Sequence, residues 1–159
     1  GEIVLLDEQD RGRWNRTLID EGRLLLERAS FYQAPGPYQL QAAIAALHAR
    51  ATRPEDTLWK EIDSLYQALE ALQPSPVVTL NRAVAVWKLQ GPAAALAMVE
   101  PLSSELDAYF YLHGLRSKLL RELNRLDEAR DALNRAVALA NSVAEANLIR
   151  RELDGLAIV

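Results

Sequence analysis

Apolar residues recur at helical spacing from Trp14 to Leu153, interrupted by short polar breaks that carry proline, glycine or asparagine. The sharpest case follows Pro74-Ser75-Pro76. Ser75 is placed to cap the free N–H groups of a first turn, and Pro76 takes the first helical position, where its missing N–H had no partner to lose. Val77, Leu80, Val84 and Trp87 then fall at i, i+3, i+7 and i+10, one stripe of a roughly 3.6-residue period, before Gly91-Pro92 closes this helix and opens the next.

The same reading extends in both directions. Residues 1–10 lack a helical period and form a connector into a helix over about 11–30, with Trp14, Leu18, Leu25 and Ala29 on its buried face. Pro35-Gly36-Pro37 breaks the chain, and Leu40, Ile44, Leu47 and Ala51 mark the core stripe of a second helix ending near Arg53. Leu58, Ile62, Leu65, Leu69 and Leu72 give a third, widened by Trp59 and Tyr66 and stopped by Pro74 and Pro76. After the helix that starts at Pro76, a short fifth runs from Pro92 to about Glu100 and ends at Pro101. Ser103 or Ser104 caps a sixth over about 106–123, with Asn124 as its left-handed exit. The seventh, about 127–140, carries Ala129, Leu133, Ala136 and Val137, with Asn141 as a second left-handed terminator. Ser142 and Glu145 form a capping box for the eighth, which uses Leu148, Ile149 and Leu153 as anchors and ends at Gly155. Trp59, Leu65, Leu80, Val84, Trp87, Leu119 and Leu133 are the expected core. No alternating strand pattern lies between the breaks.

Helices joined by short turns raise the question of a repeat, and a period of 34 is present: Ala83 maps to Ser117, Leu89 to Leu123, Ala95 to Ala129 and Val99 to Leu133. That is the tetratricopeptide period, with small residues where the two helices of a unit touch. The second unit has His113 and Asn141 where that motif has tryptophan and proline, so the units are tetratricopeptide-like. The expected fold is all-α, about eight helices in a right-handed stack of antiparallel pairs, with residues 11–159 as one domain.

Composition narrows the functional classes. Half of the 159 residues are hydrophobic, ample for a core, and the formal charge of −4 opposes a phosphate backbone, so DNA is a poor partner. With no cysteine there is no disulfide, thiolate nucleophile or zinc–thiolate site, in keeping with a cytoplasmic protein. No apolar run reaches the length of a membrane span and no signal-peptide pattern opens the chain. The start at Gly1 without methionine suggests a piece of a longer protein. His48 and His113 stand far apart with no second ligand at helical spacing, and no phosphate loop, nucleophile elbow or paired carboxylates on an apolar face occur. The expectation is therefore a protein that is not an enzyme, without catalytic, cofactor or metal residues.

One polar group suggests binding. Tyr38, Gln41, Ala45 and His48 form a stripe beside the core stripe of the second helix. Asn81-Arg82 interrupts the apolar start of the fourth, and Arg116 follows Arg82 by 34 residues. Either these side chains knit helices together, the arginines laying their stems over apolar surface, or they line a shared groove that receives a peptide or acidic segment.

Longer words also stand in order: Gln9-Asp10-Arg11 with Trp14; Gly36-Pro37-Tyr38-Gln39-Leu40-Gln41-Ala42-Ala43-Ile44-Ala45-Ala46-Leu47-His48-Ala49; Pro74-Ser75-Pro76-Val77-Val78; Leu80-Asn81-Arg82-Ala83-Val84-Ala85-Val86; and Gly91-Pro92. Together they resemble the carboxy-terminal extension of a group of bacterial extracytoplasmic-function sigma factors, which carry a tetratricopeptide-like domain after their promoter-reading regions. The resemblance implies that upstream regions grip RNA polymerase core and read promoter DNA, and that this chain is an appended regulatory domain of a transcription-initiation factor. Its expected partners are those sigma regions, the polymerase core or a regulatory protein, met through a surface holding Gln9, Asp10, Arg11, Tyr38, Gln41, His48, Asn81 and Arg82. No cofactor or membrane is implied. The rival reading is a generic helical-repeat module that binds peptides or senses a small molecule.

Overall fold

The computed structural model describes residues 36–51 and 53–157, and all regular structure among them is helical. The expected connector, the 11–30 helix and Gln9, Asp10 and Arg11 lie outside the described residues. Seven α-helices follow in order: α1 Pro37–Arg50, α2 Trp59–Leu72, α3 Pro76–Gln90, α4 Pro92–Val99, α5 Phe110–Glu122, α6 Leu126–Leu139 and α7 Val143–Ala157. Two 3-10 turns, Pro54–Asp56 and Glu100–Leu102, complete the described elements. The chain divides into two compact units between Ala85 and Val86, within α3.

In the first unit, Gly36 is extended and accepts the Leu40 N–H at 3.1 Å, so α1 starts on Pro37. It ends at Arg50, earlier than the apolar stripe suggests. The Arg53 carbonyl accepts the Asp56 N–H at 3.0 Å and the Arg53 Nε donates to the Asp56 carboxylate at 3.2 Å, which commits this stretch to the next turn. Leu40, Ile44 and Leu47 of α1 pack with Ile62 and Leu69 of α2 and Ala85 of α3, and Trp59, Leu65, Tyr66 and Val78 lie against this cluster. Leu58 and Leu72, at the two ends of the expected α2 stripe, are exposed.

The start of α3 is as the sequence reads: Ser75 Oγ accepts the Val77 N–H at 3.2 Å, and the Ser75 carbonyl accepts Thr79 N–H at 3.1 Å. Its buried face is rotated from the expected stripe. Leu80, Ala83, Ala85 and Val86 are buried, whereas Val77, Val84 and Trp87 are half-buried. The large residues flank a seam of small ones, and the small ones sit deepest. Trp59 and Leu65 are half-buried as well, while Leu80, Leu119 and Leu133 are core as expected.

In the second unit Gly91 adopts φ +95°, a conformation that costs a side-chain-bearing residue about 1 kcal/mol or more. This lets α4 begin on Pro92 directly after α3. Pro101 sits inside the 3-10 turn that continues α4, not beyond its end. The next helix starts at Phe110, later than the Ser103/Ser104 cap predicts, because the Asp107 carbonyl takes His113 Nε2–H at 2.7 Å in place of a helical partner. The turn after α5 is a Schellman motif: Asn124 has φ +59°, its N–H donates to Arg121 O at 3.0 Å, and Arg125 N–H donates to Leu120 O at 2.9 Å.

Two terminal expectations change. Asn141 is not left-handed; α6 ends through an extended Ala140, and Asn141 N–H donates to the Glu145 carboxylate at 2.9 Å. Ser142 Oγ accepts Glu145 N–H at 3.1 Å, so the capping box forms with its reciprocal bond displaced by one residue. Gly155 lies inside α7, which runs on to Ala157 and buries Leu156. Leu119 and Leu120 of α5, Ala129, Ala132, Leu133 and Ala136 of α6, and Ile149 and Leu156 of α7 supply the core here, with α4 against α5, α5 along α6, and α6 against α7. No helix among the described residues is long and apolar enough to cross a membrane.

Truncating Leu119 to alanine, at 0% exposure, costs about 2–5 kcal/mol in urea unfolding, whereas Leu72→Ala, at 54%, stays within about 0.5 kcal/mol. Equal losses at the two positions would contradict this packing.

Candidate functional site

A cleft of about 520 Å³ opens in the first unit where α1, α2 and α3 come together. Its lining begins with Gln41 and Ile44, successive turns of α1, continues through Tyr66 and Leu69 of α2 and the Gln73–Ser75 link, and ends on Val77, Val78 and Asn81 of α3. The link is short because Gln73 N–H closes α2 on Leu69 O at 2.8 Å and Ser75 opens α3 two residues later. That brings the carboxyl end of α2 and the amino end of α3 to one wall.

The structure therefore brings two of the expected surface residues, Gln41 and Asn81, to one place, and both are exposed. Tyr38, exposed by 63%, lies outside the lining, one turn before Gln41 on α1. His48 is a correction. It is 1% exposed, with its ring edge-on to Trp59 at 5.3 Å between centroids, so it belongs to the interior and not to a polar surface stripe. Seven of the α1 residues are buried because the small Ala43, Ala46 and Ala49 widen the apolar face until His48 falls within it.

Arg82 is also occupied internally. Its Nε donates to Asp63 at 2.8 Å and its Nη1 to Glu70 at 3.4 Å, joining α3 to α2, and Gln67 Nε2 supports Asp63 at 2.8 Å. Burial works against the guanidinium charge, but the hydrogen bond and charge of Asp63, with those of Glu70, outweigh it and raise the Arg82 pKa above its ordinary value. A cation so neutralised has little to offer an acidic segment. Arg116 repeats the arrangement in the second unit: its Nε donates to Glu100, on the turn that follows α4.

Among the described residues the cleft is thus lined by aliphatic and aromatic carbon with neutral polar groups and no charged side chain. Sequence reasoning placed Tyr66 with the core and passed over Gln73. Burial pushes the Tyr66 phenol pKa up, so it stays protonated and able to donate at neutral pH. The available signal was positional: Tyr66 stands one turn after Ile62, and Gln73 directly before the Pro74 break. Among the described residues no group of three or more His, Cys, Asp or Glu side chains is placed to hold a metal ion.

Two measurements check this electrostatic layout. Arg82→Ala leaves the largely buried Asp63 without its cation and is expected to destabilise the chain by roughly 2–3 kcal/mol in thermal or urea unfolding, the partial exposure of Arg82 reducing the cost of a fully buried pair. A loss near zero would mean that the pair is screened by solvent. On the second unit, the Arg125 hydrogen bond lowers the Glu128 carboxyl pKa below its ordinary 4.5, aided by the charges of Arg125 and Arg116 against some desolvation. A depressed folded-state value means that this contribution is complete above about pH 4.5 and fades as pH falls through the folded value. Carboxyl NMR titration should place the Glu128 midpoint below 4.5, moving up towards it in Arg125→Ala; a midpoint unmoved by that substitution would remove the cause given.

No family model matches the chain, and no solved structure does. The chain is 62% identical over 157 residues to an uncharacterized protein of Rhizobium meliloti (strain 1021), a match that takes in 99% of this chain and 37% of that protein. The chain thus spans little more than a third of the length of this relative.

Proposed function

We propose that this chain is the carboxy-terminal regulatory and protein-contact domain of an extracytoplasmic-function sigma factor, acting in the bacterial cytoplasm as a right-handed, tetratricopeptide-like stack of antiparallel helix pairs. The observation that carries the reading is the ordered set of words from Gly36-Pro37-Tyr38 through Pro74-Ser75-Pro76 to Gly91-Pro92, which resembles the extension found in that family. A relative of which this chain is only 37% is compatible with a role as one part of a larger protein.

Structural features give the repeat reading support. Ala83, Ala95, Ser117 and Ala129, the small residues of the 34-residue period, are all buried, as are Val99 and Leu133. Arg82 and Arg116, one period apart, each donate Nε to a carboxylate that precedes them by 19 and 16 residues respectively. The Asn124 turn joins α5 and α6 as a tight pair.

In this reading the domain performs no chemistry. It contacts the upstream sigma regions of its own protein, or RNA polymerase core, and the occupancy of that contact adjusts how readily the promoter-reading regions act. Promoter DNA is reached by the upstream regions alone, consistent with the net charge of −4 here. Among the described residues the contact surface is narrowed to Tyr38, Gln41 and Asn81, since His48 is buried and Arg82 is paired, and Gln9, Asp10 and Arg11 remain part of the proposal.

Promoter-specific transcription is the direct test, comparing the longer protein, a version truncated before Gly1, and a Gln41→Ala/Asn81→Ala variant of unchanged melting temperature. The expected outcome is a change of at least about five-fold on truncation, with the double variant moving in the same direction. Equal transcript from all three would reduce the domain to a passenger.

A further inference from the structure

We propose that the α1–α2–α3 cleft binds an uncharged, extended peptide segment through that segment's backbone amide groups. This deepens the protein-contact reading above and rests on it.

Among the described residues, the side chains of Gln41, Gln73 and Asn81 and the hydroxyl of Tyr66 find no hydrogen-bond partner, yet all belong to one cleft. Other polar side chains on α2 and α3 are engaged with one another: Gln67 with Asp63, Arg82 with Asp63 and Glu70. Each carboxamide presents one acceptor oxygen and two donor hydrogens, the complement of a peptide group with its one N–H and one C=O. Around them the wall is apolar, from Ile44, Leu69 and Val78. A segment whose side chains alternate can therefore lay apolar groups on the wall while its backbone meets the amides.

Charge selects the class of segment. With no charged side chain among the described lining residues and Arg82, next to Asn81 in sequence, already held by two carboxylates, an anionic or cationic ligand loses hydration without finding a counter-charge there. An acidic peptide, one of the options the sequence leaves open, is thereby disfavoured. The volume, about 520 Å³, suits a stretch of a few residues.

The test is an NMR titration of the 159-residue chain, following the side-chain amide signals of Gln41, Gln73 and Asn81. The probes are acetylated, amidated heptapeptides of Val, Ala, Ser and Thr, the same peptides with two central glutamates or two central lysines, and N-methylacetamide as the free amide. The expected result is saturable shifts of these three side chains with the neutral peptides. Either charged substitution should weaken binding about ten-fold or more, and Asn81→Ala or Gln41→Ala should weaken it about 3–10-fold. Both substituted residues are exposed, so the fold is preserved, and Tyr66→Phe, which removes only the hydroxyl, gives an independent reading in the same direction. Tighter binding of either charged peptide, equal binding by N-methylacetamide at matched amide concentration, or affinities unmoved by all three substitutions would overturn the proposal. So would absence of any shift at millimolar peptide. That last result alongside a transcriptional effect of truncation would leave the domain's role standing and remove only this site.

Discussion

Close approach of helices at alanine is the constraint on which the rest of this structure depends. Ala43 and Ala46 on α1, Ala83 and Ala85 on α3, Ala95 on α4, and Ala129, Ala132 and Ala136 on α6 are all at or near complete burial. Helix axes approach within about 8–10 Å only as the side chains between them permit, so a seam of methyl groups allows near contact along several turns. Each alanine buries little area, however, and cannot supply much of the driving force. That comes from the larger residues on either side, such as Leu40, Ile62 and Leu69 in the first unit and Leu119, Leu120 and Leu133 in the second, which interlock because the backbones are near. The seam sets the geometry and the flanking leucines and isoleucines supply the free energy.

Charge is tolerated inside where a long side chain can span between helices. Arg82 on α3 reaches carboxylates on α2 through the length of its stem, which can cover apolar surface while the guanidinium meets Asp63 and Glu70. Such a pair adds little net stability over well-packed carbon, but it penalises any slip of α3 along α2 that would leave Asp63 unpaired. Registry, more than energy, is its contribution. The consequence for the site is direct: with Arg82 fixed on one side of α3, Asn81 next to it faces the cleft, and the cleft stays neutral.

Much of this fold was legible in the sequence because proline, glycine, serine and asparagine act locally. Ser75-Pro76, Gly91-Pro92, Asn124 and Ser142 mark boundaries through their own backbone preferences, and the structure uses each of them there. What was not legible depends on partners distant in sequence. The buried face of α3 is rotated onto Leu80, Ala83 and Val86 because a spacing rule weighs large residues while packing puts the small ones deepest. The start of α5 moved because His113 captures a carbonyl that local propensity assigns to the helix. In the site, Gln41 was visible in a polar stripe beside a core stripe, and Asn81 as a polar interruption of an apolar run. His48 was misplaced because a lone imidazole reads as polar until Trp59 is seen to pack on it, and Tyr66 was hidden because an aromatic on a core stripe gives no sign that its hydroxyl borders a cleft.

A neutral cleft of this kind also limits how tightly it can hold a segment, and that limit bears on regulation. Four hydrogen bonds at a net of about 1 kcal/mol each, with modest apolar contact set against the cost of ordering the segment, amount to an affinity near the millimolar range. Free peptide in a cell would seldom fill such a site. A segment of the same protein, held at millimolar effective concentration by its own chain, would occupy it about half of the time. Near half-occupancy a small free-energy change has its greatest effect on the bound fraction, and because the contact carries no charge, it responds to the conformation and access of the segment more than to ionic strength. Under the proposed reading, a weak, uncharged, tethered contact would therefore suit a graded adjustment of upstream sigma regions, whereas a charged or extensive interface would lock them in one state.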